Sequence, residues 1–375
     1  AGSRPGAHPS NLLIRPYFHV LAAAHALMWL IHLCSNIFLW WCFTLCASSH
    51  QFHDLAWSPS AGTSLLQTSV SRRQLTHTAS GPMSSDDVYD LNDGQKMTVI
   101  GLGTYRMQPG NETYSSVLAA LKMGYRMVDT AALYRNEADV GRAIRDSGIP
   151  RSQIFVTTKI WDTSHGYNLA LNAGLRSNAT LGVGYIDLLL MHSPSTGKIV
   201  ETYDAMFHLS EIGVTRSIGV SNFGVAHMEA LKRYCRPVPT VNQFELHPLN
   251  FKSRKAVVDY CEKANIVVQA YGSVLSGHDD LLEMAQRIAL SYNKTEAQVM
   301  LRWALDKSYQ VIPKSTHTEY LAEDLDVFDF NLSDEDATSL ESLAQKAQLD
   351  EYWNPLITPV HVGDVSHYPG CDTSE

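Results

Sequence analysis

The sequence predicts an α/β protein: a (β/α)8 (TIM) barrel with an N-terminal β-hairpin and a C-terminal tail over the barrel mouth. Two observations carry this prediction. Downstream of residue 90, short runs rich in Val, Ile and Leu alternate with amphipathic stretches of helical length, which is the pattern of βα units around a parallel sheet. Eight such runs occur, and they spread over roughly 250 residues, the length at which these units close into a barrel. Composition agrees: of 375 residues 45% are hydrophobic and 18% charged, with 23 Gly and 15 Pro, which excludes collagen, low-complexity disorder and a multi-span membrane protein.

The elements follow in order. LNDGQKM (91–97) holds an Asp-Gly pair between short extended runs, a strong hairpin signal, and is expected to close the end of the barrel opposite its mouth. The candidate strands are TVIGLG (98–103), YRMVDT (125–130), IFVTTKI (154–160), YIDLLLMH (185–192), TRSIGVS (215–221), TVNQFE (240–245), IVVQAY (266–271) and YQVIPK (309–314). Between them lie helical patterns such as TYSSVLAALKM, NEADVGRAIRDSG, IVETYDAMFHLSEIG, KSRKAVVDYCEKAN and KTEAQVMLRWALDK. Gly148, Gly213 and Asn265 stand where helix ends would take a left-handed cap. In such a barrel the active site lies at the C-terminal ends of the strands.

The first 83 residues differ in kind. They carry four basic residues (Arg4, Arg15, Arg72, Arg73) and one acid (Asp54), so most of the net charge of −9 and more falls on residues 84–375, the expected barrel domain. No charged side chain occurs from Pro16 to His53, and that apolar run is long enough to cross a bilayer. Ser, Thr, Gly and Pro then dominate up to Met83, as in a linker. Three readings of residues 1–83 stay open: a membrane anchor, a targeting segment, or upstream sequence outside the mature protein. Membrane contact is expected only if this leader is retained, and the barrel itself is expected to be cytoplasmic and monomeric. The acidic balance and the lack of a basic patch exclude a general nucleic-acid binder. Six Cys without a CxxC pair argue against zinc or thiol redox chemistry, and Cys235, Cys261 and Cys371 read as isolated thiols.

The strand ends are rich in chemistry. Strand two ends in Asp129 and Thr130 with Tyr134 just beyond, strand three in Lys159 and strand four in His192, so four acid/base groups converge on one face. Six motifs accompany them: VDTAALYRNE (128–137), TTKIW (157–161), IDLLLMHSP (186–194), IGVSNF (218–223), VNQFELHP (241–248) and IPKS (312–315). In order and spacing these resemble the aldo-keto reductase family over about residues 88 to 355. The spacing of 25 residues from Tyr134 to Lys159 resembles the shorter members, such as diketogluconate reductases and prostaglandin F synthases of unicellular organisms.

The resemblance implies reduction of an aldehyde or ketone by a nicotinamide cofactor without a metal. Tyr134 matches the proton donor and His192 the group that hydrogen-bonds the substrate carbonyl. A phenol near pKa 10 is a weak acid, and Lys159 beside it is expected to lower that pKa, with Asp129 holding the ammonium. The implied cofactor contacts are Gly103, Thr104 and Tyr105 after strand one, and Ser221, Asn222 and Gln243 on the carboxamide. Tyr271 is to stack on the nicotinamide ring, while Lys314, Ser315, Thr316, Tyr320, Glu323 and Asp324 surround the adenosine end. NADPH is the expected cofactor because Lys314 matches a contact to the 2′-phosphate. NADH is the alternative, since Tyr320 and Asp324 stand where NADP-favouring members commonly have Arg and Asn. GLGTYR (101–106) is not a Rossmann fingerprint, because Arg106 occupies the place of the third Gly. Tyr105, Trp161 and Trp353 are candidate walls of the substrate pocket, and the partner is a small carbonyl compound.

A second function class shares the fold: potassium-channel β subunits, which bind the cofactor and serve mainly as partner modules. All four catalytic positions are filled here, which favours the enzyme. A metal-dependent barrel hydrolase is excluded because no His-x-His pair or carboxylate cluster falls on the strand ends. A chain starting at Met83, 293 residues long, is expected to be soluble and active alone. Gel filtration and a carbonyl reduction assay check this, and a truncate that aggregates or loses turnover would count against it.

Overall fold

A computed structural model describes residues 75–76, 83–274, 282–342 and 355–363. The chain divides into two units, Ala1–Thr68 and Ser69–Glu375. The apolar leader, Trp353 and Cys371 lie outside the described residues, and among these no helix is long and apolar enough to cross a membrane.

Three short strands form an antiparallel sheet: β1 (Leu75–Thr76), β2 (Val88–Asp90) and β3 (Lys96–Thr98). β2 and β3 are the expected hairpin, with Leu91 N–H donating to the Gln95 carbonyl at 2.8 Å and Gly94 in the left-handed region at φ 87°. β1 was not anticipated, since its residues sit in the stretch read as a linker. Asn92 at the turn donates to the carbonyls of Pro239 and Asn265, just ahead of two barrel strands, so the hairpin covers the end opposite the mouth.

The barrel follows as β4 (Leu102–Gly103), β5 (Met127–Asp129), β6 (Phe155–Ile160), β7 (Ile186–Met191), β8 (Thr215–Ser221), β9 (Val241–Glu245), β10 (Val267–Tyr271) and β11 (Gln310–Val311), each paired in parallel with the next. All eight expected strands are present; β8 keeps the full expected range and the other seven are shorter than the apolar runs that announced them. Closure comes from the bridge between Ile100 and Val311, with Gly101 N–H donating to the Val311 carbonyl and Gly103 N–H to the Pro313 carbonyl, both at 2.9 Å. Gly103 is needed for this seam: a Cβ there would stand 2.8 Å from the Ile312 carbonyl oxygen. β6 and β7 are buried at every position, as parallel strands covered on both faces must be.

The helices are α1 (Asn111–Met123), α2 (Glu137–Asp146), α3 (Tyr167–Leu181), α4 (Ile199–Glu211), α5 (Val225–Arg233), α6 (Phe251–Lys263), α7 (Leu282–Tyr292), α8 (Glu296–Asp306), α9 (Thr318–Leu325) and α10 (Asp334–Ser342). Gly148, Gly213 and Asn265 all take positive φ beyond helix ends, as the left-handed cap requires. α2 and α3 approach so closely that a side chain at Gly141 would overlap the Leu181 carbonyl. Cys235 is disulfide-bonded, which corrects its reading as an isolated thiol; Cys261 keeps its thiol, buried in the core, where the sulfur accepts from Asn242 Nδ2 at 3.8 Å.

The described part of the tail runs over the mouth side. Ile199 and Val200 at the start of α4 donate to the carbonyls of His361 and Val362 at 3.3 and 3.4 Å, and Thr358 meets His227 Nε2 of α5 at 3.3 Å.

Candidate active site

Asp129, Tyr134, Lys159 and His192 converge at the C-terminal ends of β5, β6 and β7. Asp129 ends β5, and Lys159 is the penultimate residue of β6. Tyr134 closes a single 3-10 turn (Ala132–Tyr134) that the left-handed Arg135 terminates. His192 follows β7 directly, held by its N–H on the Ile160 carbonyl at 3.0 Å.

The Lys159 ammonium donates to Asp129 Oδ1 at 2.5 Å, to the Thr130 carbonyl at 3.0 Å and to the Tyr134 hydroxyl at 3.3 Å. All three of its hydrogens are thereby engaged. Lys159 is 0% exposed and Asp129 2%. Burial pushes the Asp129 carboxyl up against the opposing pull of Lys159 and Gln243, and it pushes Lys159 down against the pull of Asp129.

The Tyr134 phenol departs from expectation. Its pKa is raised well above 10, by burial first, then by the charge of Asp129 and by Tyr271 and Tyr105. Lys159 was expected to lower it, but the ammonium is closer to Asp129 than to the phenol, so its field at Tyr134 is largely cancelled. Tyr134 therefore holds its proton firmly. His192 is driven well below its ordinary value by burial, then by Lys159 and His165, so its imidazole is neutral. Its Nδ1 is buried with no hydrogen-bond partner among the described residues. The ring meets Tyr134 and Trp161 edge-on, at centroid distances of 5.7 and 4.9 Å, and Tyr105, 52% exposed, packs on Tyr134 at 5.1 Å. Tyr105 and Trp161 thus line the same cleft as the tetrad.

The residues assigned to the nicotinamide end join this cluster. Asn222, in the left-handed region at φ 62°, donates to the His192 carbonyl and to Ser221 Oγ at 3.0 Å each, and accepts from the Tyr271 hydroxyl at 3.0 Å. Ser221 Oγ donates to the Gln243 carbonyl at 2.9 Å, and Gln243 Nε2 to Asp129 Oδ2 at 2.7 Å. Gln243 Oε1 receives no hydrogen bond from the described residues and suits an incoming amide donor. Thr104 is committed elsewhere: its hydroxyl and N–H both donate to the Asp129 carbonyl, and its own carbonyl accepts from Asn136. Together with Gly103 it braces the backbone near the seam.

The adenosine-end residues lie on the loop after β11 and on α9. Lys314 is exposed and without a carboxylate partner among the described residues, as an anion site requires. Ser315 is buried and bonded to His317, Thr316 is half-buried, and the exposed Tyr320 meets the His317 ring at 5.4 Å. Glu323 is half-buried, and Asp324, 6% exposed, is pushed up to about 7 by burial and by the charge of Glu323.

Three groups escaped the sequence reading. Gln269 and Gln310 continue the polar contacts of Gln243 across the barrel interior; the signal was a glutamine inside each of two apolar strand runs. Asp162 accepts from Ser193 Oγ at 2.8 Å, and its carbonyl accepts from Thr196 Oγ1, which ties the loop of Trp161 to the loop of His192.

A model of the aldo/keto reductase family matches residues 99–345. Glyoxal reductase of Bacillus subtilis is 40% identical over 262 residues, covering 70% of this chain and 94% of that protein. A 9,11-endoperoxide prostaglandin H2 reductase of Trypanosoma cruzi is 39% identical over 262 residues, covering 69% and 92%. Among solved structures, an aldo-keto reductase from a Medee basin deep-sea metagenome library superposes with a TM-score of 0.65 at 41% identity, covering 70% of this chain and 96% of that one.

Asp324 gives a stability test. Its folded pKa of about 7 lies above the model value of 3.8, so its contribution is most favourable below pH 4 and is lost as pH rises through 7. Asp324→Asn is expected to stabilise the protein at pH 8 by on the order of a few kcal/mol and to do little at pH 4. Urea unfolding of both proteins at the two pH values checks this; equal midpoints at pH 8 would refute it.

Proposed function

The chain belongs to the aldo/keto reductase family, and from that premise we propose that it reduces aldehydes and ketones to alcohols with NADPH, Tyr134 giving the proton. The carrying observation is the Tyr134 hydroxyl, which keeps its proton in a buried site 3.3 Å from the Lys159 ammonium and beside a neutral His192.

The cofactor supplies hydride to the carbonyl carbon. The chain's residues do the rest. The carbonyl oxygen gains negative charge as the reaction proceeds, and a donor already aimed at it stabilises that charge without reorganisation. Tyr134 offers its proton there, and the high pKa of the resting phenol keeps the proton in place until an alkoxide, a far stronger base, demands it. The phenolate left behind accepts the hydrogen bond that the Lys159 ammonium already directs at that oxygen. His192, uncharged, orients the carbonyl by a hydrogen bond without competing for the proton. Ser221, Asn222 and Gln243 hold the carboxamide, and Tyr271 covers one face of the nicotinamide ring.

Tyr105 and Trp161 frame an apolar entrance suited to small aldehydes, dicarbonyls and lipid-derived carbonyls, in keeping with what the names of the relatives say of them. The barrel closes its own core, which supports a monomer. Lys314 supports NADPH over NADH, while Asp324 works against it once ionised.

Tyr134→Phe is expected to lower turnover by roughly 10²- to 10⁴-fold while leaving cofactor affinity unchanged in a fluorescence titration. Wild-type turnover in that variant would refute the assignment. NADPH is expected to give the higher kcat/KM, and Asp324→Asn to widen the ratio over NADH by on the order of tenfold at pH 8. A strong NADH preference in the wild type would overturn the cofactor choice.

A further inference from the structure

Three glutamines on consecutive strands, Gln243 of β9, Gln269 of β10 and Gln310 of β11, form a continuous ladder of amides inside the barrel. Gln243 Nε2 donates to Asp129 Oδ2 at 2.7 Å and to Gln269 Oε1 at 2.5 Å. Gln269 Nε2 donates to Gln310 Oε1 at 2.7 Å, and Gln310 Nε2 to the Val311 carbonyl at 3.0 Å. The remaining amide hydrogens of Gln269 and Gln310 face thioethers, Met97 Sδ at 4.0 Å and Met127 Sδ at 3.3 Å. Gln269 and Gln310 are wholly buried, and Gln243 is nearly so.

Chemistry fixes the sense of this ladder. A carboxylate and a backbone carbonyl can only accept, so Gln243 must turn its NH2 to Asp129, and Gln310 must turn its NH2 to Val311. Gln269 lies between two groups of fixed polarity. It can satisfy both only with its oxygen toward Gln243 and its NH2 toward Gln310. A flip of any one amide would set two donors or two acceptors face to face in a dry interior, where an unmade hydrogen bond is costly. The register of β9, β10 and β11 places the three residues in line, with Gln269 level with both Gln243 and Gln310.

We propose that Gln269, backed by Gln310, is a positioning residue that locks the Gln243 amide with its carbonyl oxygen free, as the acceptor for the NH2 of the cofactor's carboxamide. Both Gln243 NH2 hydrogens are spent inside the barrel, so the group it presents to a ligand is an acceptor only. This selects a ring substituent that carries an N–H donor. The inference rests on the reading above that Gln243 holds the carboxamide.

The test measures binding of oxidised cofactor to the full chain by quenching of intrinsic fluorescence, so that redox potential does not enter. The probes are NADP+ and its 3-acetylpyridine analogue, in which a methyl group replaces the carboxamide NH2. The wild type is expected to bind the analogue roughly three- to tenfold more weakly, the effect of one neutral hydrogen bond. In Gln269→Met, of similar volume and without the amide, Gln243 keeps only its bond to Asp129 and can tilt its oxygen out of line with the ligand, and the ratio is expected to fall below about twofold. Gln269→Glu, its carboxyl kept protonated by burial, retains an acceptor for Gln243 and a donor for Gln310 and is expected to keep the wild-type ratio. A folded Gln269→Met protein that still discriminates as the wild type does would sink the inference while leaving the role of Gln243 intact. A wild type that binds both probes equally would sink the role of Gln243 and the inference with it. Should Gln269→Met fail to fold, Gln310→Met, one link further back, decides: a narrowed ratio supports the ladder and an unchanged ratio overturns it.

Discussion

Lys159 and Asp129 are buried together at the ends of adjacent strands, and removing two charges from water costs several kcal/mol per ion unless each is fully bonded. Each member of the pair accordingly has further partners. The ammonium spends its other hydrogens on the Thr130 carbonyl and the Tyr134 hydroxyl, and the carboxylate takes a second donor from Gln243. The fold serves this one requirement from several sides. β5 and β6 are in register so that the pair meets, β9 reaches across the interior with Gln243, and Thr104 clamps the Asp129 backbone from the seam. An ion pair so enclosed resists rearrangement, and the phenol attached to it is held in place by the same bonds.

Burial acts on each titratable group at this site in the direction that keeps it neutral, which suits the proposed chemistry. His192, pushed toward its uncharged form, could then orient a carbonyl without taking its proton. Tyr134 is pushed toward its protonated form, as the proposed donor must be before hydride arrives. A cation placed to pull the phenol pKa down in the resting state would leave it partly ionised and useless for reduction. Lys159 avoids this because Asp129 largely cancels its field at the phenol, and what Lys159 offers that hydroxyl is a hydrogen bond that holds it in place.

The barrel was legible because parallel strands buried on both faces must be continuous apolar runs, and β6, β7 and β10 read as such. Asp-Gly at the hairpin and the glycines past helix ends were legible for a comparable reason: each answers a backbone demand that few residues meet. The tetrad was visible as acid/base residues on strand ends. Other features were hidden because they depend on who faces whom across the interior. Gln269 and Gln310 looked like lapses in apolar strands, although they complete the surroundings of a carboxylate on β5 that is distant in sequence. The sign of the Tyr134 shift could not be read from the neighbouring lysine, since it is decided by burial and by how close Asp129 stands to that lysine. The part Gly103 and Thr104 play in barrel closure was hidden for the same reason, since their bonds run to residues on other strands.

The two ends of the proposed cofactor site obey opposite rules. At the proposed nicotinamide end, Ser221, Asn222, Gln243 and Tyr271 are bonded to one another or to the tetrad, so the geometry there is fixed before a ligand enters. In the proposed reaction, binding energy at this end would go into alignment of the reacting atoms, where small displacements are costly. At the adenosine end Lys314 and Tyr320 are exposed, and contacts there can change without disturbing the chemistry. Asp324 is the exception at that rim, a buried carboxyl that titrates near neutrality. Its ionisation adds a negative charge beside the place proposed for a phosphate and leaves the barrel interior untouched. In the proposed reading, cofactor preference and catalytic geometry are thereby separable: the first would rest on a few rim residues of α9 and its preceding loop, and the second on a network that runs through six strands, β5, β6, β8, β9, β10 and β11.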